Sequence, residues 1–216
     1  MSATPTPTLR PSTVADLETH VAHRVAMFQD MEMGTEEGRK RMAESFRHQL
    51  RSWLVTGQCR GLVLEENGRS VASVLLLLKE TLPTPVTPLS VRGYLFNVYT
   101  VPSHRRRGLA ARLTDSALDL ARELGIEIVE LHASLEAEGL YQRMGFVPTS
   151  EMRLVMSAGI KTPKQWKHRR SRYRASATAA GSPRRRPGRR AGWPPGRRSP
   201  PSAIRGGRGR PVSRRP

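Results

Sequence analysis

Residues 105–110 read Arg105-Arg106-Arg107-Gly108-Leu109-Ala110, three cationic side chains running into two residues that carry almost no side chain. Gly108 and Ala110 let successive backbone N–H groups approach a ligand closely just where a helix can begin. The first-turn N–H groups of a helix have no partner within it, and its aligned peptide dipoles place roughly half a positive charge at that end. A pyrophosphate would satisfy both the spare donors and the charge, whereas a neutral metabolite would leave the donors to water. Taken alone, Arg-Arg-Arg-Gly also reads as a solvated basic turn. The elements on either side decide between the two readings.

Upstream, Tyr94-Leu95-Phe96-Asn97-Val98-Tyr99-Thr100-Val101 is rich in aromatic and β-branched residues and is bounded by Gly93 and Pro102, which predicts a strand. Downstream, Leu109, Leu113, Ala117, Leu120 and Leu124 recur at helical spacing, with Arg112, Asp115, Asp119 and Glu123 on the wetter side. Gly125 ends that helix. Residues 126–132 then predict a short strand, and Tyr141-Gln142-Arg143-Met144-Gly145-Phe146 follows in a further helical stretch. The order is strand, anion turn, helix, strand, helix, an order suited to a phosphorylated cofactor.

These residues resemble the Gcn5-related N-acetyltransferase (GNAT) superfamily, whose acetyl-CoA motif is Arg/Gln-x-x-Gly-x-Gly/Ala, here Arg105-x-x-Gly108-x-Ala110. Asn97-Val98-Tyr99-Thr100, Pro102, Leu131-His132-Ala133-Ser134, Leu140-Tyr141 and Gly145-Phe146 fall in the family's order and at about its separations. The resemblance covers roughly residues 8–157. It implies an α+β fold, the GNAT acyl-CoA N-acyltransferase fold, with a mixed, mostly antiparallel central sheet flanked by helices. It also implies acetyl-CoA as co-substrate and a small-molecule or peptide amine as acceptor.

Roles follow from the same resemblance. Val98, Tyr99 and Thr100 match the strand whose backbone hydrogen-bonds the pantetheine arm, so their role is main-chain. Arg105, Arg106, Arg107, Gly108, Leu109 and Ala110 match the positions that hold the pyrophosphate, with Ala110 replacing the commoner second glycine. Tyr141 matches the position of a general acid for the departing thiolate, since a phenol is protonated at neutral pH and can donate to sulfur. The competing reading makes Tyr141 a half-buried aromatic packed beside Phe146. Ser134 is a candidate to bond the cofactor or the acceptor. No base is assigned: Val98 and Val101 occupy the neighbourhood where many relatives carry a glutamate, Asn97 cannot accept a proton at neutral pH, and Glu130, His132 and Glu136 would act only through a water.

Before the cofactor motif, Leu9-Arg10 predicts a short first strand and residues 14–28 a helix capped by Thr13, with Asp16 three residues on. Thr35 caps a second helix, whose Met42, Phe46, Leu50 and Trp53 form a core stripe. In the resembling family these two helices and their loop wall the acceptor site, which makes residues 29–34 the candidate for substrate discrimination. Residues 61–65 and 70–78 predict antiparallel strands joined through Asn67-Gly68, a pair that readily takes the positive φ of a tight hairpin. Pro83, Pro85 and Pro88 make residues 82–90 an extended loop.

Charge divides the chain sharply. Of 37 Lys and Arg, 18 lie in residues 1–159 together with all 18 Asp and Glu, which leaves 19 basic and no acidic residues in 160–216. That segment, rich in Pro, Gly and Ser, has too little apolar surface to offset its ordering entropy, so a basic disordered tail is expected over residues 158–216 after a flexible start at 1–7. Arg184-Arg185-Arg186, Arg189-Arg190 and Arg197-Arg198 could neutralise phosphates of RNA or DNA without sequence preference, and Trp166, Tyr173 and Trp193 could stack on bases. A solvated, incidental extension and a stretch translated outside the usual reading frame are the alternatives.

Cys59 is the single cysteine, so no intrachain disulfide forms, and its setting near Trp53 and Leu54 predicts packing. The six histidines are scattered without zinc-ligand spacing, so no metal is expected. No apolar run approaches a membrane span and no secretory signal is evident, which makes a cytoplasmic location the expectation. Homodimerisation stays open. Two function classes remain for the folded part: an acetyl-CoA-dependent N-acetyltransferase, and a degenerate relative that binds acyl-CoA without turnover.

Overall fold

The computed structural model describes residues 6–85, 87–149, 151–152 and 154–156. The tail expected over 158–216, with its arginine runs and Trp166, Tyr173 and Trp193, lies outside the described residues, as do positions 1–5 of the expected flexible start.

One five-stranded sheet organises the chain, in the order β1 (Thr8–Pro11), β2 (Cys59–Glu66), β3 (Arg69–Glu80), β4 (Val91–Thr100), β5 (Val129–Leu131). The first four strands pair antiparallel and β4 pairs parallel with β5, giving the mixed, mostly antiparallel sheet that the resemblance implies. Helices α1 (Leu17–Asp30) and α2 (Glu36–Thr56) precede β2, α3 (Leu109–Glu123) crosses from β4 to β5, and α4 (Leu135–Arg143) follows. A parallel pair requires such a crossover, and α3 supplies it.

The sheet buries both faces because its strands alternate. Leu62, Leu64, Ala72, Val74, Leu76 and Leu95 pack with Leu109, Leu113, Ala117 and Ala121 of α3. On the other face, Cys59 and Leu75 pack with Leu17, Val21, Phe46 and Leu50 of α1 and α2, with Trp53 and Phe96 beside them. Cys59 is a core residue whose thiol burial pushes up to about 12, so it stays protonated and unreactive.

Several boundaries differ from expectation, each for a local reason. Thr13 forms the expected capping box with Asp16, but residues 14–16 make a 3-10 turn and α1 proper starts at Leu17. Strand β5 is three residues rather than seven, because Gly125 and Ile126 complete the end of α3: the Ile126 N–H reaches the Ala121 carbonyl at 2.9 Å. Leu124 is correspondingly on the outside, and Ala121 takes the buried position. The hairpin between β2 and β3 turns at Asn67 (φ 52°) and Gly68 (φ 72°), as the Asn-Gly pair predicts.

Candidate active site

The anion turn is built by two reversals of the backbone. Arg106 (φ 62°) and Gly108 (φ 75°) are left-handed on either side of Arg107, an alternation that aims successive N–H groups into one concavity. Gly108 then stands at the N-cap of α3 without a capping side chain, so the first-turn donors of α3 keep no side-chain acceptor. A Cβ built on Gly108 meets no atom within 4 Å, so the space in front of these amides is open. Leu109 is buried and locks the helix start to the core, while Arg105, Arg106, Arg107 and Gly108 are exposed and Ala110 is half-buried. This cradle of free donors, cationic side chains and open space fits a pyrophosphate.

Two of the three arginines also brace the turn. Arg105 donates through Nε to the Thr100 carbonyl at 3.0 Å, pairs with the Asp30 carboxylate at the end of α1, and lies 5.5 Å over the Tyr99 ring. Arg107 reaches Glu66 at 3.4 Å, and the other oxygen of Glu66 meets His104 Nε2 at 2.8 Å. The Glu66 carboxyl is held below its usual range, first by the His104 hydrogen bond.

Strand β4 carries a bulge. Leu75 pairs with Phe96 and Ser73 with Tyr99, so Val74 of β3 faces two residues of β4, Asn97 and Val98. Asn97 takes φ 55°, and its Nδ2 donates to the His20 carbonyl at 3.1 Å. The bulge reverses the alternation: Phe96 and Tyr99 both face α1 and α2, while Val98 joins the α3 side. By sequence, Asn97 falls in the strand and in the Asn97-Val98-Tyr99-Thr100 block, with no bulge assigned to it; an asparagine in an apolar strand is the available signal, since asparagine is enriched at positive φ.

Beyond the bulge, β4 loses its neighbour. Pairing with β5 covers only Gly93, Tyr94 and Leu95, so residues 96–100 run on with no strand alongside on that edge among the described residues. Such an edge offers unpaired main-chain groups to an extended ligand. Val98 and Tyr99 lie there with Thr100, whose carbonyl already accepts from Arg105. The Tyr99 side chain turns inward, 5.0 Å from the His23 ring, and burial raises its phenol pKa.

The chain leaves β5 through His132 and Ser134. Ser134 is the N-cap of α4, its Oγ accepting from the Ala137 N–H at 3.3 Å, a structural use that the sequence reading had not assigned. Tyr141 lies on the buried side of α4, and the helix closes around it. The Phe146 N–H bonds the Tyr141 carbonyl at 3.0 Å, the Gly145 N–H bonds the Gln142 carbonyl at 3.1 Å, and Gly145 takes φ 91°. Burial pushes the Tyr141 phenol up to about 12, and no described side chain holds its hydroxyl.

The model of the Acetyltransferase (GNAT) family matches residues 25–146, which takes in both the bulged strand and the anion turn. The chain belongs to this family. A GCN5-related N-acetyltransferase from Ralstonia eutropha is 37% identical, with a TM-score of 0.65 over 69% of this chain and 97% of its own. Two more distant GNAT-like structures share the fold. A predicted acetyltransferase with acetyl-CoA from Clostridium acetobutylicum is 22% identical, with a TM-score of 0.64 over 68% of this chain and 94% of its own. Glucosamine-6-phosphate N-acetyltransferase from Arabidopsis thaliana is 16% identical, with a TM-score of 0.53 over 71% of this chain and 100% of its own. No curated protein matches the sequence of this GNAT chain.

Proposed function

We propose that this chain is an acetyl-CoA-dependent N-acetyltransferase that moves an acetyl group to a primary amine of a small molecule or peptide. The observation that carries the proposal is the doubly reversed turn at Arg106 and Gly108, opening onto free amides at the start of α3. Membership of the GNAT family and the 37% identical N-acetyltransferase support the same reading.

In this reading acetyl-CoA supplies an activated acyl group, and the chain's own residues bind, orient and move protons. The amides from Arg106 to Ala110 hold the diphosphate, with the charges of Arg105, Arg106 and Arg107 behind them. The main chain of Val98, Tyr99 and Thr100 aligns the pantetheine arm along the open edge of β4. The phenol of Tyr141, held protonated by burial, gives its proton to the departing thiolate. Ser134 keeps a hydroxyl proton to donate while its oxygen caps α4.

Two measurements on the full chain test the proposal. A thermal scan with acetyl-CoA should raise Tm in a concentration-dependent way, because a ligand selective for the folded state stabilises it by mass action. Thiol release with a panel of primary amines should then report turnover. No Tm shift at millimolar acetyl-CoA would overturn the donor site; a shift without thiol release from any amine would favour an acyl-CoA-binding relative that does not turn over.

A further inference from the structure

Among the described residues, no carboxylate balances the charge of Arg24. The side chain leaves α1 toward the sheet and lies against three aromatic rings, 4.6 Å from the Phe46 centroid, 5.0 Å from Phe28 and 5.9 Å from Phe96. Its Nε is shielded from solvent and makes no hydrogen bond, and no carboxylate among the described residues pairs with the guanidinium. The acidic residues of its own helix are committed elsewhere, Glu18 to Arg47 and Asp30 to Arg105. The neighbouring His20 and His23 are neutral, because burial lowers both to about 4. A half-buried cation normally finds an anion, since removing its hydration is costly and ring faces restore only part of that loss.

The position of this cation is as informative as its lack of a partner. Phe96 stacks on Tyr94 at 5.9 Å, and the Tyr94 hydroxyl meets His132 Nδ1 at 2.6 Å. His132 directly follows β5, at the point where β4 and β5 part, so the aromatic cage of Arg24 borders the split that exposes the edge of β4. The rings surround the guanidinium carbon, and Nε is sealed in. Among the described residues no hydrogen bond or ion pair engages the two Nη groups, a planar pair of donors matched to a carboxylate.

We infer that Arg24, framed by Phe28, Phe46 and Phe96, is the receptor for a carboxylate carried by the acceptor amine, which makes amino acids the substrate class. This rests on the acetyl-transfer reading above for the acceptor's fate, but not for its binding. Neutral amines lack the group that would complete the guanidinium, and they bind more weakly.

The test compares each common α-amino acid with its own carboxamide, at equal millimolar concentration, on the full chain. Thermal shift without acetyl-CoA reads acceptor binding alone; thiol release with saturating acetyl-CoA reads transfer. We expect at least one acid to raise Tm where its amide does not, and its kcat/KM to exceed the amide's by about tenfold or more, the worth of one charge-assisted pair. Arg24→Met, which keeps an apolar stem among the rings, should bring the acid-to-amide ratio to within about twofold, and Arg24→Lys should restore part of it. Acid-selective stabilisation without any acetyl-CoA response keeps the carboxylate site and refutes the donor reading. An acetyl-CoA response with equal use of acids and amides, or an acid preference that survives Arg24→Met, overturns the inference. If Arg24→Met does not fold, the wild-type comparison of acids with amides decides it.

Discussion

Tyr141 and Phe146 are joined twice: the Phe146 N–H donates to the Tyr141 carbonyl at 3.0 Å, and the two rings meet edge-on with centroids 5.7 Å apart. The Tyr-x-x-x-Gly-Phe pattern is therefore a helix stop whose closing contact falls on the candidate acid. Because Phe keeps the ring contact and the backbone cap, Tyr141→Phe removes the hydroxyl alone. Its kcat is expected to fall about a hundredfold or more, while its acetyl-CoA affinity stays near wild type. With a phenol at about 12, this group contributes no alkaline loss of activity across the neutral range. A kcat within twofold of wild type would return Tyr141 to a packing role.

Gly108 separates backbone strain from ligand space. A Cβ there meets no protein atom within 4 Å, so Gly108→Ala is expected to cost about 1 kcal/mol of stability, from the left-handed φ of 75° alone. Gly108→Val places more bulk in the same concavity and should weaken acetyl-CoA binding well beyond its effect on Tm. Calorimetric titration of both variants checks this, and unchanged affinity in Gly108→Val would exclude a phosphate from that space.

Asn97 sets the bulge through conformation and through its bond to the His20 carbonyl. Asn97→Ala loses both, for about 2 kcal/mol in total, whereas Asn97→Gly keeps access to positive φ and loses mainly the bond. Urea denaturation should rank the three proteins wild type, then Gly, then Ala. The reverse order of the two variants would mean that φ 55° is not what the asparagine supplies.

His20 is fully buried with neither ring nitrogen bonded, and His23 is buried with Nδ1 2.7 Å from Ser73 Oγ. Burial lowers both below the usual histidine value, to about 4. The unfolded chain takes up protons as pH falls through 6.5, but the folded chain does so only near 4. Stability is therefore full above pH 6.5 and lost progressively down to pH 4, by on the order of 3 kcal/mol for each histidine. In His20→Leu, which leaves Asp16, Arg10 and His23 in place, the decline of Tm between pH 6.5 and 4 should be about half as steep. An unchanged slope would show that His20 is not buried neutral.

Features governed by a few neighbouring residues were legible in the sequence. The Thr13 capping box, the Asn67-Gly68 hairpin, the Gly125 stop after α3 and the amphipathic period of α3 depend on backbone sterics and on spacing, which a linear string records. Together with the turn at Arg105 to Ala110, they sufficed for the family and for the mixed sheet. Tertiary structure alone decided what lies around that turn. The Arg105–Asp30 pair, the His23–Ser73 bond and the Asn97–His20 bond join positions 75, 50 and 77 residues apart. Likewise, Phe28 is the helical neighbour of Arg24 four residues on, but only folding brings Phe46 and Phe96 to the same cation. Periodicity says which side of an element is buried, not which distant side chain it will meet there, and a cation without an anion is visible only when every neighbour has been brought into place.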